Sequence, residues 1–126
     1  MCPGAGQQGI SMDPQGNYVY VADVEANGIS YFKLNSSTGA LTLEGETNTG
    51  GQADGGGFCA SDVIKVDPSG SFVYALGTTS PEGCTGSSSP AIADYSIDNS
   101  NGSVIPGPPA ENTAIVPSQD WIAVTP

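Results

Sequence analysis

An internal repeat constrains this chain more than any other feature of its sequence. The segment ISMDPQGNYVYVADV at 10–24 aligns without a gap with IKVDPSGSFVYALGT at 64–78, a displacement of 54 positions. Downstream, YFKLNSSTGALT at 31–42 matches DYSIDNSNGSVI at 94–105, displaced by 63 positions. Self-similarity of this length predicts two copies of one supersecondary unit.

Each copy reads as short β-strands separated by turn residues. In Asp-Pro-x-Gly, proline fixes φ and glycine takes a positive φ, so a tight turn is expected. Asn35 to Gly39 and Asp98 to Gly102 are hairpin signals between apolar runs. No segment keeps a helical period for three turns. The sequence therefore predicts an all-β fold of four-stranded antiparallel units in up-and-down order, with first-unit strands at 10–13, 18–23, 28–34 and 41–45.

The repeat also predicts the layout of the chain as a single module over 1–126. The first unit spans 10–45, and the second spans 63–106 with a Ser/Pro/Cys loop insertion at 78–90. The last residues, WIAVTP at 121–126, match VIKVDP at 63–68, so they are expected to form the first strand of a third unit.

The motif DPxGxYVYV, followed by an apolar strand and a TGALT-type ending, resembles blades of the lactonase-type β-propeller, or YVTN repeat, family. The resemblance implies phosphogluconolactonase-like blades over nearly the whole chain. It implies little about activity, because the same repeat is seen in lactonase-like and cycloisomerase-like enzymes, in surface-layer proteins and in secreted proteins of no known activity.

Length makes the resemblance incomplete. A propeller typically needs 4 to 8 blades to close its ring, and two blades leave open strand edges that recruit another chain. Three arrangements therefore stay open: a ring of several copies, a filament of copies, or a section of a longer polypeptide. The strand at 121–125 is the expected donor to, or guest of, a neighbouring copy, since it lacks a hairpin partner.

Charge excludes several classes of function. The chain has 13 acidic residues, two lysines, no arginine and no histidine, for a net charge of −11. Such a surface repels nucleic-acid phosphate and anionic lipid, so neither nucleic acid nor membrane is expected as a partner. Without histidine the usual general base and the commonest metal ligand are missing. We therefore predict no catalytic residue, no cofactor and no metal site within this chain.

The few polar candidates each have a plainer structural interpretation. Lys65 lies in the strand expected nearest the propeller axis, where it would line a channel; the alternative is an exposed strand lysine. Lys33 is expected to face solvent. Glu44 and Glu46 are spaced for a carboxylate pair on one strand face, but a solvated edge strand is the plainer explanation and the one we favour.

Two further sets of side chains are assigned to the scaffold. The aspartates of the Asp-Pro turns, Asp13 and Asp67, are predicted to cap local backbone. The large aromatic residues are expected to form core between blades in preference to a sugar-stacking surface. They are Tyr18, Tyr20, Tyr31, Phe32, Phe72, Tyr74, Tyr95 and Trp121.

The cysteine content and the loops indicate an extracellular or cell-surface setting. A disulfide between Cys59 and Cys84 is predicted, which would stabilise the fold by roughly 3 kcal/mol in the chain-entropy model. Cys2 is left over for an intermolecular bridge, an attachment or a free thiol. Sequons at Asn35 and Asn101 are candidate N-glycosylation sites, and the loop from Thr78 to Ser89 is a candidate for O-glycosylation.

These observations support a secreted or surface module, structural or interactive, that self-assembles as a ring or filament through open β edges. Its expected partners are other copies of itself, further blades of a longer chain, and glycans. The alternative is a fragment of a lactonase-like hydrolase whose catalytic histidine and arginine lie on other blades. A carbohydrate-binding module is a third interpretation.

Overall fold

A computed structural model describes residues 7–23, 28–48, 57–80, 89–107 and 125. These residues form two four-stranded sheets, ordered β1-β2-β3-β4 and β5-β6-β7-β8, with every neighbouring pair antiparallel. We call the two sheets blade 1 and blade 2. The predicted all-β fold of up-and-down four-stranded units is thus confirmed. The strands are β1 (Gln7–Met12), β2 (Tyr18–Asp23), β3 (Gly28–Leu34), β4 (Leu41–Asn48), β5 (Gly57–Val66), β6 (Phe72–Ser80), β7 (Ser89–Ile97) and β8 (Val104–Pro106).

The Asp-Pro-x-Gly turns join the first two strands of each blade. In blade 1 the Gly16 amide donates to the Asp13 carbonyl at 3.0 Å, and the Asp13 amide donates to the Tyr18 carbonyl at 3.0 Å. In blade 2 the Gly70 amide donates to the Asp67 carbonyl at 2.9 Å. Both glycines have a φ of 73°, a backbone conformation that is strained for residues with a side chain. The two turns therefore have the same structure.

The turns between the third and fourth strands also repeat. The Gly39 amide donates to the Asn35 carbonyl at 2.7 Å, and the Gly102 amide donates to the Asp98 carbonyl at 2.7 Å. The φ of these glycines is 73° and 77°. The hairpins predicted between Asn35 and Gly39 and between Asp98 and Gly102 are confirmed.

Some strand bounds differ from those expected. β2 and β3 have the expected bounds, whereas β1 runs from Gln7 to Met12 instead of over 10–13. β4 continues to Asn48, and β5 begins at Gly57, before the expected start of the second unit at 63. The loop expected over 78–90 is shorter, because β6 and β7 stay paired as far as Thr79 and Ser89. Backbone hydrogen bonding thus extends strands into Gly-, Ser- and Thr-rich sequence that has little apolar alternation.

The main core lies between the two blades. Side chains alternate along each strand, so each blade has two faces. One face of blade 1 packs on one face of blade 2, and the buried residues of this contact form a single cluster. We call it the inter-blade interface. Its buried members are Tyr20, Ala22 and Ile29 from blade 1, and Ile64, Val73, Ala75, Ala93, Tyr95, Ile97 and Val104 from blade 2.

Candidate functional site

Hydrogen bonds between described residues cross the inter-blade interface at both ends of the sheets. The backbone amide of Val66 donates to the Ser11 hydroxyl at 3.0 Å, which joins β5 to β1. At the other side of the blades, the Thr47 hydroxyl donates to the Val104 carbonyl at 2.8 Å, which joins β4 to β8. Corresponding strands therefore face each other, β1 opposite β5 and β4 opposite β8. The two blades stack face to face in the same orientation.

Two tyrosines of β2, Tyr18 and Tyr20, contact the turn of blade 2 that contains Gly102. The Tyr20 hydroxyl donates to the buried Gly102 carbonyl at 3.1 Å. The ring of Tyr18 lies against Gly102, where an added Cβ would overlap the ring. Burial raises the pKa of Tyr20, and the nearby charge of Asp13 adds to the effect, so this phenol stays protonated and keeps donating. Glycine is therefore required at position 102 for two reasons. Its φ is positive, and the Tyr18 ring occupies the space that a Cβ would need.

The far face of blade 1 is open. Ile10 is 65% exposed and Leu41 is 48% exposed, although their repeat equivalents in blade 2, Ile64 and Val104, are 1% and 4% exposed within the inter-blade interface. These two positions are thus buried where a neighbouring blade covers them and exposed on the far face of blade 1, whereas Val19 on that far face is 6% exposed. We define the open face of blade 1 by its exposed apolar residues, Ile10, Met12, Leu41 and Leu43.

The far face of blade 2 shows the complementary pattern. Ile92 is 37% exposed, whereas its equivalent in blade 1, Ile29, is fully buried against blade 2. We define the open face of blade 2 by Phe72, Ile92 and Ile105. Every exposed large hydrophobic side chain in the described part of the chain lies on one of these two open faces. In the described part of the chain, each of these two faces therefore exposes apolar side chains whose repeat equivalents are buried in the inter-blade interface, or lie on the blade face that forms it.

The turn aspartates cap backbone, as predicted. Asp13 Oδ1 accepts from the amides of Asn17 and Tyr18 at 2.7 and 2.8 Å, and the Asp13 side chain is buried. Asp67 Oδ1 accepts from the amides four and five residues further on, at 2.9 and 2.8 Å. These carboxylates hold the Asp-Pro turns and are not available for chemistry.

Two carboxylates have lowered pKa values because they accept several hydrogen bonds. Partial desolvation raises the pKa of Asp67, but bonds from the Ser69 hydroxyl and from three backbone amides outweigh it and lower the pKa below its ordinary value. At Asp98, hydrogen bonds from the hydroxyl and the amide of Ser100 lower the pKa. Both groups are therefore charged turn caps at neutral pH.

The remaining polar candidates are dispersed. Lys65 is exposed on β5, on the side of blade 2 away from blade 1, and Lys33 is exposed on β3. Glu46 accepts from the Ser30 hydroxyl at 3.4 Å, while Glu44 lies at a bulge that interrupts the alternation of β4. Among the described residues, no group of three or more histidine, cysteine, aspartate or glutamate side chains could hold a metal ion.

The aromatic residues that the structure describes pack mainly between and within the blades. Tyr20 and Tyr95 are buried, and Phe72 is the exposed aromatic among the described side chains. Trp121 lies outside the described residues, as does the expected third-unit strand at 121–126 apart from Thr125.

The proposed modification sites are only partly visible. Asn35 and Asn101 are both exposed, and each accepts a hydrogen bond from the backbone of its own turn, at 3.0 and 2.8 Å. Their glycosylation stays a prediction. Cys59 lies in β5, but Cys2 and Cys84 lie outside the described residues, as does most of the loop from Thr78 to Ser89, so the disulfide also stays a prediction.

The glycine contact was missed by sequence reasoning, although its signal is present in the repeat. Gly39 and Gly102 recur at the 63-residue displacement, and the aromatic pairs Tyr18/Tyr20 and Phe72/Tyr74 recur at the 54-residue displacement. Nothing in the sequence shows that an aromatic residue of one blade meets the glycine of the next. That pairing comes from the orientation of the blades.

Paired four-stranded blades that pack face to face define a β-propeller type of protein. The family model "Lactonase, 7-bladed beta-propeller" matches residues 4–82, more than half of the chain. The chain therefore belongs to this lactonase family, which confirms the resemblance carried by the DPxGxYVYV repeat. No curated protein matches the chain significantly in sequence.

Solved structures show the same fold. A candidate 6-phosphogluconolactonase from Bacteroides fragilis is 18% identical, with a TM-score of 0.62 over 84% of this chain and 25% of its own. One from Bacteroides uniformis is 20% identical, with a TM-score of 0.64 over 89% of this chain and 28% of its own. A protein from Lactobacillus plantarum is 21% identical, with a TM-score of 0.61 over 87% of this chain and 29% of its own.

The chain thus spans less than a third of the length of these structures. At such identities the comparison establishes the fold and leaves activity to other arguments. None of the described segments forms a helix of the length and hydropathy needed to cross a membrane.

Proposed function

We propose that this chain forms two consecutive blades of a lactonase-type propeller, and that the completed ring hydrolyses a lactone. The observation that carries the proposal is the family match over residues 4–82. The two open faces support it, because they continue the inter-blade interface on both sides and so call for further blades.

The chemistry assigns a limited role to this chain. In lactone hydrolysis water adds to the carbonyl carbon, the carbonyl oxygen becomes an oxyanion, and the ring C–O bond then breaks to give a hydroxy acid. The reaction calls for a base to activate the water and for donors or cations to stabilise the oxyanion. Because the chain has neither histidine nor arginine, we assign the base to other blades.

Lys65 is the residue of this chain that we assign to substrate binding. It is exposed on β5, the strand that would lie nearest the axis of a closed ring, whereas the other lysine, Lys33, lies on β3. The chain has two lysines and no arginine, so it offers few cations to bind an anionic lactone. A lysine near the axis would therefore contribute most of the charged contacts to such a substrate. Because Lys65 lies on the face that the next blade would cover, its side chain would extend from the edge of that interface to contact a phosphate or carboxylate of the substrate.

The test measures lactone hydrolysis by the completed ring, with this chain in its wild-type form and as two matched variants. The solved neighbours include candidate 6-phosphogluconolactonases, so 6-phosphogluconolactone and its unphosphorylated analogue are suitable probes. We expect hydrolysis above the spontaneous rate. Lys65→Gln should raise the KM for the phosphorylated lactone by about tenfold or more, the value of one charged hydrogen bond. Lys33→Gln should leave the KM unchanged.

Two results would contradict the proposal. Hydrolysis of either lactone at no more than the spontaneous rate would remove the activity. Equal KM values for the Lys65→Gln and Lys33→Gln proteins would contradict the proposed role of Lys65 in substrate binding, while the proposed activity would stand.

A second candidate function is structural: a secreted module that assembles with other copies of itself. The observation that favours it is the exposure of apolar side chains on both the open face of blade 1 and the open face of blade 2. The inter-blade interface uses sheet faces, and the two blades belong to separate sheets. Assembly is therefore expected through these faces rather than through the strand edges that the sequence suggested.

A further inference from the structure

We propose that Gly39, at the open face of blade 1, is the docking site for Phe72 of a second copy of this chain. The inference rests on the structural candidate function above and names the contact that would produce assembly. Each copy would present Phe72 from its blade 2 to Gly39 of the next copy, head to tail.

The inter-blade interface supplies the template for this contact. Inside one chain, the Tyr18 ring covers Gly102, and the Tyr20 hydroxyl donates to the Gly102 carbonyl at 3.1 Å. Gly102 is buried as a result. An aromatic pair on the second strand of one blade thus recognises the glycine of the last turn of the next blade.

Both halves of the same contact are present and unpaired on the outside of the chain. Phe72 and Tyr74 occupy the repeat positions of Tyr18 and Tyr20, and Phe72 is 42% exposed. Gly39 occupies the position of Gly102, yet apart from its two chain neighbours no described residue places an atom within 4 Å of a Cβ built on it, and it is exposed. The space that the Tyr18 ring fills at Gly102 is therefore empty at Gly39.

The surroundings of the two halves match as well. Ile10 and Leu41 near Gly39 correspond to Ile64 and Val104, which are buried in the inter-blade interface. On the other side, Ile92 corresponds to the buried Ile29. A second copy that docks in this register would cover the open face of blade 1 with the open face of blade 2. This continuity with an existing interface is the reason for choosing a second copy as the occupant.

The contact between copies should be weaker than the one inside the chain. Lys65 replaces Ser11, whose hydroxyl accepts the Val66 amide, and a lysine cannot accept that bond. Asp94 replaces Tyr31, so a carboxylate faces the contact instead of an aromatic ring. Assembly is therefore reversible and depends on concentration. Because the two halves lie on opposite faces, it is heterologous and gives a ring or an open fibre.

The experiment measures self-association by sedimentation velocity for the wild-type chain and for variants that block one half each. Gly39→Asn places a side chain in the docking site, and asparagine tolerates a positive φ. Phe72→Ser removes the docking ring. We expect each variant to self-associate at least about tenfold more weakly than the wild type, the cost of one well-placed anchor.

A mixture of the two variants gives the sharpest result. The Gly39→Asn chain keeps its Phe72, and the Phe72→Ser chain keeps its Gly39, so an equimolar mixture should form a 1:1 dimer that cannot grow. Ser37→Asn is the matched control, because it adds a side chain of the same kind to an exposed position of the same turn. It should associate as the wild type does.

Each outcome decides a separate point. A wild-type chain that is monomeric at all accessible concentrations would overturn assembly and the contact with it. Association of the wild type that both variants retain would overturn the Gly39–Phe72 contact alone. A mixture that stays monomeric would overturn head-to-tail pairing. If the Gly39→Asn chain fails to fold by circular dichroism, Leu41→Asp on the same open face takes its place. In a completed ring further blades would cover both open faces, so the copy-to-copy contact and the lactonase ring are alternatives. The lactone assay measures none of these association outcomes, so the failure of one proposal is distinguishable from the failure of the other.

Discussion

Asp13 and Asp67 hold equivalent turns, and the same two oxygen contacts recur in both blades. Each carboxylate accepts the amides four and five residues further along the chain, which are otherwise unpaired donors of a tight hairpin. Asp13 is buried, whereas Asp67 lies partly exposed next to Phe72. The same side chain therefore has different energetic weight in the two blades.

Replacement of Asp13 by alanine should destabilise the chain by about 1–3 kcal/mol, because two backbone amides lose their acceptor in a buried place. Asp13→Asn keeps one acceptor oxygen and should cost less. Urea unfolding followed by fluorescence measures both changes. Equal stability of the Asp13→Ala chain and the wild type would show that water replaces the carboxylate without cost.

The lowered pKa of Asp67 predicts how stability depends on pH. A group whose folded-state pKa is lowered stabilises the fold above its unfolded pKa, about 3.9 for aspartate, and loses this contribution as pH falls through the folded pKa. The difference in unfolding free energy between the wild type and Asp67→Asn should therefore be largest near neutral pH and shrink below about pH 4. A difference that stays constant from neutral to acid pH would contradict this assignment.

At the scale of elements, the repeat supplies matched positions with opposite burial. β1 and β5 both place an isoleucine at the same point, yet Ile64 lies in the inter-blade interface and Ile10 lies on the open face of blade 1. Strand type and hydrophobic pattern are the same in both cases. Only the presence of a neighbouring blade changes the environment.

Ile64→Ala should therefore cost about 2–5 kcal/mol, the usual range for a large-to-small change in a core. Ile10→Ala is the matched control and should change stability by about 0.5 kcal/mol or less, as an exposed position does. Denaturant titrations at low protein concentration keep the comparison free of association. Equal effects of the two changes would mean that the blades do not pack as described.

At the scale of the whole molecule, charge opposes the association that the open faces favour. Two copies that each carry a net charge of −11 repel one another. Salt shortens the Debye length from about 30 Å at 0.01 M to about 8 Å at 0.15 M, so it should weaken this repulsion. Salt does not screen the hydrophobic contact between the apolar faces in this way.

Self-association of the wild-type chain should therefore become stronger as sodium chloride rises from about 0.01 M to 0.15 M. Sedimentation velocity at several salt concentrations measures the effect, and Ile92→Asp, which places a further charge on the open face of blade 2, should steepen it. Association that weakens with salt would indicate contacts made by opposite charges and would contradict assembly through apolar faces.

Much of the fold follows from the sequence because its determinants are local. Proline and glycine at set positions of the turns, with apolar alternation between them, determine strands and hairpins without any distant contact. This is why β2 and β3 have the predicted bounds and why the turn aspartates were assigned correctly. The bounds of β4, β5 and β6 depend on ladders with other strands, and so local pattern underestimated them.

The sequence by itself determined the blade, its turns, the repeat and the family to which the chain belongs. Only the tertiary structure decided which face of each blade is covered and that Tyr18 and Tyr20 contact Gly102. It also decided that their repeat equivalents, Gly39 and Phe72, are exposed. The physical reason is distance along the chain. The Tyr20–Gly102 bond joins residues 82 positions apart, and such a contact is determined by how two sheets pack, which no local pattern of residues encodes.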